Sequence, residues 1–75
     1  MERVGAVTGV AGGVVVARAD EGVRPDLGSE VIDESLDRIG RIVDVFGPVG
    51  RPYVAITPDD DVRTAPLVGE RLYAR

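Results

Sequence analysis

Apolar residues in this chain come in short runs, rich in Val and Ile, broken by Gly, Pro and Asp. That is the signature of strands rather than helices. Arg3 to Val10 reads as a first strand, and Gly12-Gly13 as the turn after it, because adjacent glycines reach positive φ at little cost. Val14 to Arg18 is a second strand, and its continuous apolar run predicts burial on both faces. Ala19 to Ser29 is a loop, since Arg24-Pro25-Asp26 and Leu27-Gly28-Ser29 are both turn chemistry. Glu30 to Asp33 is a short third strand, and Glu34 to Arg38 fits a single helical or 3₁₀ turn. Ile39 to Phe46 is the fourth and most apolar strand, followed by a tight loop, Gly47 to Pro52, with two prolines and two glycines. Tyr53 to Thr57 is a fifth strand, Pro58 to Pro66 an acidic loop, and Glu70 to Tyr73 a sixth strand. Many short strands with turn signals between them mean a barrel or a sandwich. In a chain this small, closing the sheet also removes sticky edges. The expected fold class is therefore all-β, a small closed six-stranded β-barrel with residues 1–75 as a single domain.

Seventy-five residues bury a thin core, so packing or a partner protein must hold the fold. No cysteine is present to staple it, and no histidine to serve as zinc ligand or as general base near neutral pH. Thirteen acidic residues against nine Lys plus Arg give a net charge of −4, and every cation is an arginine. Acidic faces without lysine suggest adaptation to high salt, where repulsion is screened within about 3 Å at 1 M; a GC-rich codon bias toward Arg, Ala, Gly and Val is the simpler alternative. An acidic domain is a poor candidate for direct phosphate-backbone binding, which needs clustered cations. Met1-Glu2-Arg3 does not open a signal peptide. The longest apolar run, Val14 to Ala17, is far short of a membrane span. The chain is thus expected to be soluble and cytoplasmic.

Residues that could carry chemistry are better explained by structure. Gly5, Gly9, Gly12 and Gly13 match no phosphate-loop spacing, and there is no lysine to meet a phosphate. Asp33, Glu34, Asp37, Asp44 and the Asp59-Asp60-Asp61 run could offer paired carboxylates, but the run lacks the glycine and spaced ligands of a calcium loop. The hydroxyls of Thr8, Ser29, Ser35, Thr57 and Thr64 have neither histidine nor lysine to activate them. The expectation is no enzyme activity and no cofactor.

The informative stretch runs from Ile39 to Ile56. Strict alternation puts Gly40, Ile42, Asp44 and Phe46 on one face and Ile39, Arg41, Val43 and Val45 on the other, both mostly apolar. One face fills the barrel; the other needs a cover. The loop that follows is stiff, because Pro48 and Pro52 fix φ and bias the residue before each to extended geometry. A rigid apolar loop loses little entropy on docking. Val49 and Tyr53 could equally cap the barrel end, since single exposed apolar residues are normal.

Ile39-Gly40-Arg41-Ile42-Val43-Asp44-Val45-Phe46-Gly47-Pro48-Val49, then Pro52-Tyr53-Val54-Ala55-Ile56, resembles the archaeal Gar-type subunit of H/ACA ribonucleoproteins. The Phe-Gly-Pro-Val then Pro-Tyr spacing is the specific part. Arg3 to Val16 fits that family's opening hairpin, Pro25 to Asp33 its stretch before a strand ending in Asp, and Val68 to Tyr73 its closing strand. The resemblance implies a six-stranded barrel related to one in translation factors and some reductases. It implies docking on the catalytic domain of the guide-RNA-dependent pseudouridine synthase, with no isomerisation chemistry of its own. It also implies action on a mobile loop of the synthase that grips substrate RNA, favouring loading and release, so that guide and substrate RNA are met only indirectly. By position, the partner surface maps onto Val45, Phe46, Gly47, Pro48, Val49, Pro52 and Tyr53, with Phe46 expected to point inward. The Arg-Gly-rich tails of eukaryotic relatives have no counterpart in these 75 residues, so RNA binding by tails is not carried over. Two other classes stay open. One is a PRC-type barrel, which the Gly-Arg-Ile-Val-Asp-Val strand suits and the Pro-rich loop does not. The other is an RNA-binding small barrel, which needs a basic face with exposed aromatics.

Overall fold

The structure is a computed structural model that describes residues 1–75. Its six strands are β1 (Glu2–Ala11), β2 (Val14–Ala19), β3 (Glu30–Ile32), β4 (Arg38–Phe46), β5 (Tyr53–Pro58) and β6 (Arg71–Ala74). They close into a barrel in the order β1-β2-β5-β4-β3-β6, with every neighbouring pair antiparallel. Closure leaves no edge strand open, which suits a chain with little else to shield one. No helix is long and apolar enough to cross a membrane.

The barrel is filled by aliphatic side chains from every strand. Val4, Val15, Val31, Ile42, Val54, Ile56 and Leu72 are among those almost wholly inaccessible, and no polar side chain is buried with them. Leu67, from a 3₁₀ turn over Ala65–Leu67, closes one end. All three aromatic residues lie outside this interior.

Two sequence expectations fail on β2 and β4, the first because the sheet has one wet face and the second because of a bulge. In β2 only Val15, Ala17 and Ala19 are buried, while Val14, Val16 and Arg18 alternate outward and are half-buried. The apolar run there does not mean burial on both faces. In β4 the alternation is broken by a bulge: Ile42 pairs with Ile56 and Asp44 with Ala55, which leaves Val43 unpaired. A bulge inserts one residue and resets the inward phase. Ile39 and Ile42 therefore point inward, Val45 packs on the core, and Val43, Asp44 and Phe46 face out. Phe46 was expected inside; it lies outside because the Val43 bulge moves it to the other face.

Loop chemistry explains two more differences. Glu34 to Arg38 forms no helical turn. Asp33 ends β3 instead, and its Oδ1 accepts hydrogen bonds from the backbone N–H of Ser35 (2.8 Å) and Asp37 (3.0 Å). This side-chain-built turn competes with helix formation, and it carries Leu36 at φ 68°. The one 3₁₀ turn falls instead within and just past the expected Pro58 to Pro66 loop, with Pro66 at its second position, where no backbone N–H is needed.

Gly40 serves the closure of the barrel. A Cβ built on it would lie 2.0 Å from the carbonyl oxygen of Thr57 and 2.9 Å from Cα of Pro58. β4 and β5 approach too closely there for any side chain, which is the positional meaning of a strand glycine.

Candidate functional site: the β4–β5 loop and its groove

Antiparallel pairing sets the two ends of the barrel apart. At one end, β2 and β4 finish while β3 and β5 begin, so the 20–29 loop lies beside the 47–52 loop. The turns at 12–13 and 33–37 and the acidic 59–70 segment are at the other end.

The strand register builds a row of side chains across three strands of the outer face. Arg18 pairs with Tyr53, and Tyr53 with Phe46. The Phe46 and Tyr53 rings stack with centroids 5.6 Å apart and planes 18° from parallel. The Arg18 guanidinium carbon lies 4.6 Å from the Tyr53 ring centroid, and Arg18 Nη1 donates a hydrogen bond of 3.0 Å to the phenolic oxygen. Stacking and cation–π contact each contribute on the order of 1 kcal/mol, so Tyr53 is held from two sides.

Gly47 begins the loop at φ 91°, a left-handed conformation that favours glycine, and a Cβ there would crowd Tyr53 Cδ2 at 3.1 Å. The N–H of Arg51 then donates to the carbonyl of Pro48 across 3.2 Å, closing a four-residue turn. Its far side is pinned to β2. Ala19 N–H donates to the carbonyl of Pro52 (2.9 Å), Arg51 Nε to that of Ala19 (3.0 Å) and Arg18 Nε to that of Arg51 (3.2 Å). Pro52 is buried by this arrangement, and Val49 at the turn's tip is 95% exposed. With two prolines fixing φ and four hydrogen bonds fixing the turn, Val49 is an apolar side chain presented on a rigid support. It does not cap the barrel end.

Beside this loop runs an open groove of about 310 Å³. Val45, Phe46, Gly47, Pro48, Val49 and Pro52 form one wall. Six of the seven expected partner-surface residues thus come together, and Tyr53 supports them from behind Phe46. The other wall, Val23, Arg24 and Pro25, was not foreseen. Arg24-Pro25 carries a turn signal but nothing in the local sequence says where the turn lies. Only the order β2-β5-β4 puts the loop after β2 against the loop after β4.

The carboxylates singled out in the sequence form no comparable site. Asp33 builds a turn. Glu30 and Asp59 both pair with Arg38, Asp59 at 2.9 Å. The hydrogen bonds that Arg38 donates, that to Glu30 first and then that to Asp59, hold its guanidinium pKa above the ordinary value. The partners are all about a third or more exposed, so the network orders the surface more than it stabilises the fold. A depression of about 440 Å³ at that end is lined mainly by Asp33, Asp37, Arg38, Asp59, Asp61 and Arg63. No three carboxylates are grouped so as to hold a metal ion.

Residues 1–75 match the model of one protein family, described as the Gar1/Naf1 RNA binding region. The chain belongs to the Gar1/Naf1 family. It is similar to an uncharacterised protein of Methanothermobacter thermautotrophicus, 36% identical over 64 residues, a match covering 81% of this chain and 67% of the relative. It is also similar to an uncharacterised protein of Methanocaldococcus jannaschii, 41% identical over 46 residues, or 61% of this chain and 53% of the relative. It therefore spans only about half the length of the second. A solved structure of the Gar1 domain of Naf1 superposes with a TM-score of 0.75 at 19% identity, covering 99% of this chain and 85% of that one. At that identity the likeness concerns the fold, and the six-stranded barrel is the Gar1/Naf1 fold. The Phe46-Gly47-Pro48-Val49 segment that suggested the family is the groove wall of this Gar1/Naf1 barrel.

Proposed function

We propose that this chain is a non-catalytic, protein-binding subunit of the H/ACA guide-RNA pseudouridylation complex. It docks on the catalytic domain of the pseudouridine synthase through Val45, Phe46, Gly47, Pro48, Val49, Pro52 and Tyr53, and modulates substrate loading and product release during rRNA modification. The observation that carries the reading is Val49, almost fully exposed on a turn locked by Pro48, Pro52 and the hydrogen bonds to β2. Such a side chain docks without ordering cost, and burying a valine yields about 1.5–3 kcal/mol. With no histidine, lysine or cysteine, the chain lacks the usual bases and nucleophiles near neutral pH. Any effect on pseudouridine formation is then exerted through the partner. The test is titration calorimetry of this chain against the purified synthase. A one-to-one complex that Val49→Asp weakens by at least about 2 kcal/mol, the scale of an interface hot spot, supports the docking face. Unchanged affinity in a folded variant places the interface elsewhere.

One observation favours a second reading. The Arg18–Tyr53–Phe46 row has the residue types of a stacking platform for single-stranded RNA, and the family description names RNA binding. The rings are already packed on one another, however, and the net charge of −4 opposes phosphate binding.

A further inference from the structure

The arginines are distributed unevenly between internal ion pairs and free positions. Arg3 pairs with Asp20 at 3.0 Å, Arg38 with Glu30 and Asp59, and Arg75 with Glu30 at 3.5 Å. The other six arginines meet no carboxylate, in a chain with thirteen acidic residues to choose from. Of those six, one lines the groove and two stand behind its wall. Arg24 lines it, Arg51 precedes its buried Pro52, and Arg18 backs Tyr53 behind Phe46. Glu21 and Asp26 share a loop with Arg24 and form no ion pair with it. The opposite end carries Asp33, Glu34, Asp37 and Asp59-Asp60-Asp61 in its turns. The molecule is thus unevenly charged: beside the groove Arg18, Arg24 and Arg51 balance Asp20, Glu21 and Asp26, whereas at the far end the carboxylates, joined by Glu70, outnumber Arg38, Arg63 and Arg71.

We infer that the partner segment seated in the groove carries an apolar side chain flanked by carboxylates, which pair with Arg24 and Arg51. This rests on the docking role proposed above and specifies the chemistry of what docks. Opposite potentials speed encounter and reject wrong orientations. Here the far end repels an acidic segment, while Arg24 and Arg51 offer it local partners beside the groove. A purely apolar segment would leave the Arg24 and Arg51 charges to be partly desolvated without a partner, which costs affinity.

The test titrates the synthase against wild type, Arg24→Gln, Arg24→Glu, Arg24→Glu/Arg51→Glu and Val49→Asp at low salt and in molar KCl. Arg24 is exposed and makes no hydrogen bond from its side chain, so its substitution should leave the melting temperature unchanged even if loss of the Arg51 bond to Ala19 loosens the double variant. The inference predicts graded weakening from Gln to Glu, reaching about tenfold for the double variant at roughly 0.15 M salt and shrinking at about 2 M, where exposed charges are screened. If Val49→Asp abolishes binding while the arginine variants bind like wild type at low salt, the docking role stands and the acidic partner segment is refuted. If the synthase binds neither wild type nor variants, both fall. If instead a guide RNA binds the isolated chain and Arg24→Glu abolishes that binding, the cations serve phosphates and the inference is overturned.

Discussion

Replacing Gly40 by alanine tests the closure of the barrel, because the consequence can be worked from distances. The added Cβ would lie 2.0 Å from the Thr57 carbonyl oxygen, 2.8 Å from its carbon and 2.9 Å from Cα of Pro58, and all three atoms are backbone. No rotamer change relieves the clash; β4 and β5 must separate by roughly an ångström where Gly40 pairs with Pro58. Overpacking of this kind costs about 1–3 kcal/mol. The adjacent hydrogen bond from Asp59 N–H to the Ile39 carbonyl, 2.8 Å long, would be stretched or lost, at a net cost of about 1 kcal/mol. The stiffer unfolded chain returns roughly 0.4–1 kcal/mol. The balance is about 2 kcal/mol of destabilisation, a large part of the ~5 kcal/mol at the low end for native domains. For a domain of this size each kcal/mol moves Tm by about 4–8 °C. Thermal melts by circular dichroism should therefore place Gly40→Ala roughly 8–16 °C below wild type. Gly9→Ala is the matched control, in a strand of the same barrel, since a Cβ there meets nothing within 4 Å. Its Tm should stay within a few degrees of wild type. Equal melting of the two variants would show that β4 and β5 do not approach as described.

Val49→Asp should leave Tm nearly unchanged, within the ±0.5 kcal/mol typical of exposed sites, while synthase affinity falls; a coincident loss of stability would mean Val49 supports the fold. Thermal stability should rise from low salt toward molar KCl as repulsion within a chain of net charge −4 is screened, and a flat or falling Tm would count against adaptation to high salt. The isolated chain should show no binding to guide or substrate RNA at physiological salt; a micromolar complex by fluorescence anisotropy would favour the stacking-platform reading.

The strands were legible in the sequence to within one or two residues, because Gly, Pro and Asp end each apolar run. β1 extends to Ala11 and β6 runs from Arg71 to Ala74 rather than from Glu70 to Tyr73. What was not legible depends on neighbours distant in sequence. The bulge at Val43 arises from pairing with β5, and it alone decides that Phe46 faces solvent. Gly40 carries no signal of its own within the apolar fourth strand, because its reason lies in the Thr57 carbonyl. Of the groove, the wall contiguous in sequence was found and the wall from Val23 to Pro25 was not, because strand order rather than local pattern brings the two together. The turn at Asp33 was misread for a different reason: an aspartate that bonds two backbone N–H groups outweighs the helical bias of the residues after it.

If, as proposed, this barrel acts on pseudouridylation by biasing a loop of its partner, paired time courses reveal it. The barrel can shift a loop equilibrium only by binding one loop state better than the other. A preference of about 1.4 kcal/mol changes that equilibrium tenfold. The change should appear in steps that need loop movement, namely substrate loading and product release. Pseudouridine formation is measured with and without this chain, once with substrate RNA in excess and once with the complex in excess. Loop biasing should give a clear rise in the multiple-turnover rate and a much smaller change in the single-turnover rate. An equal rise in both would place the effect at the chemical step or in assembly of the active site, and would contradict it.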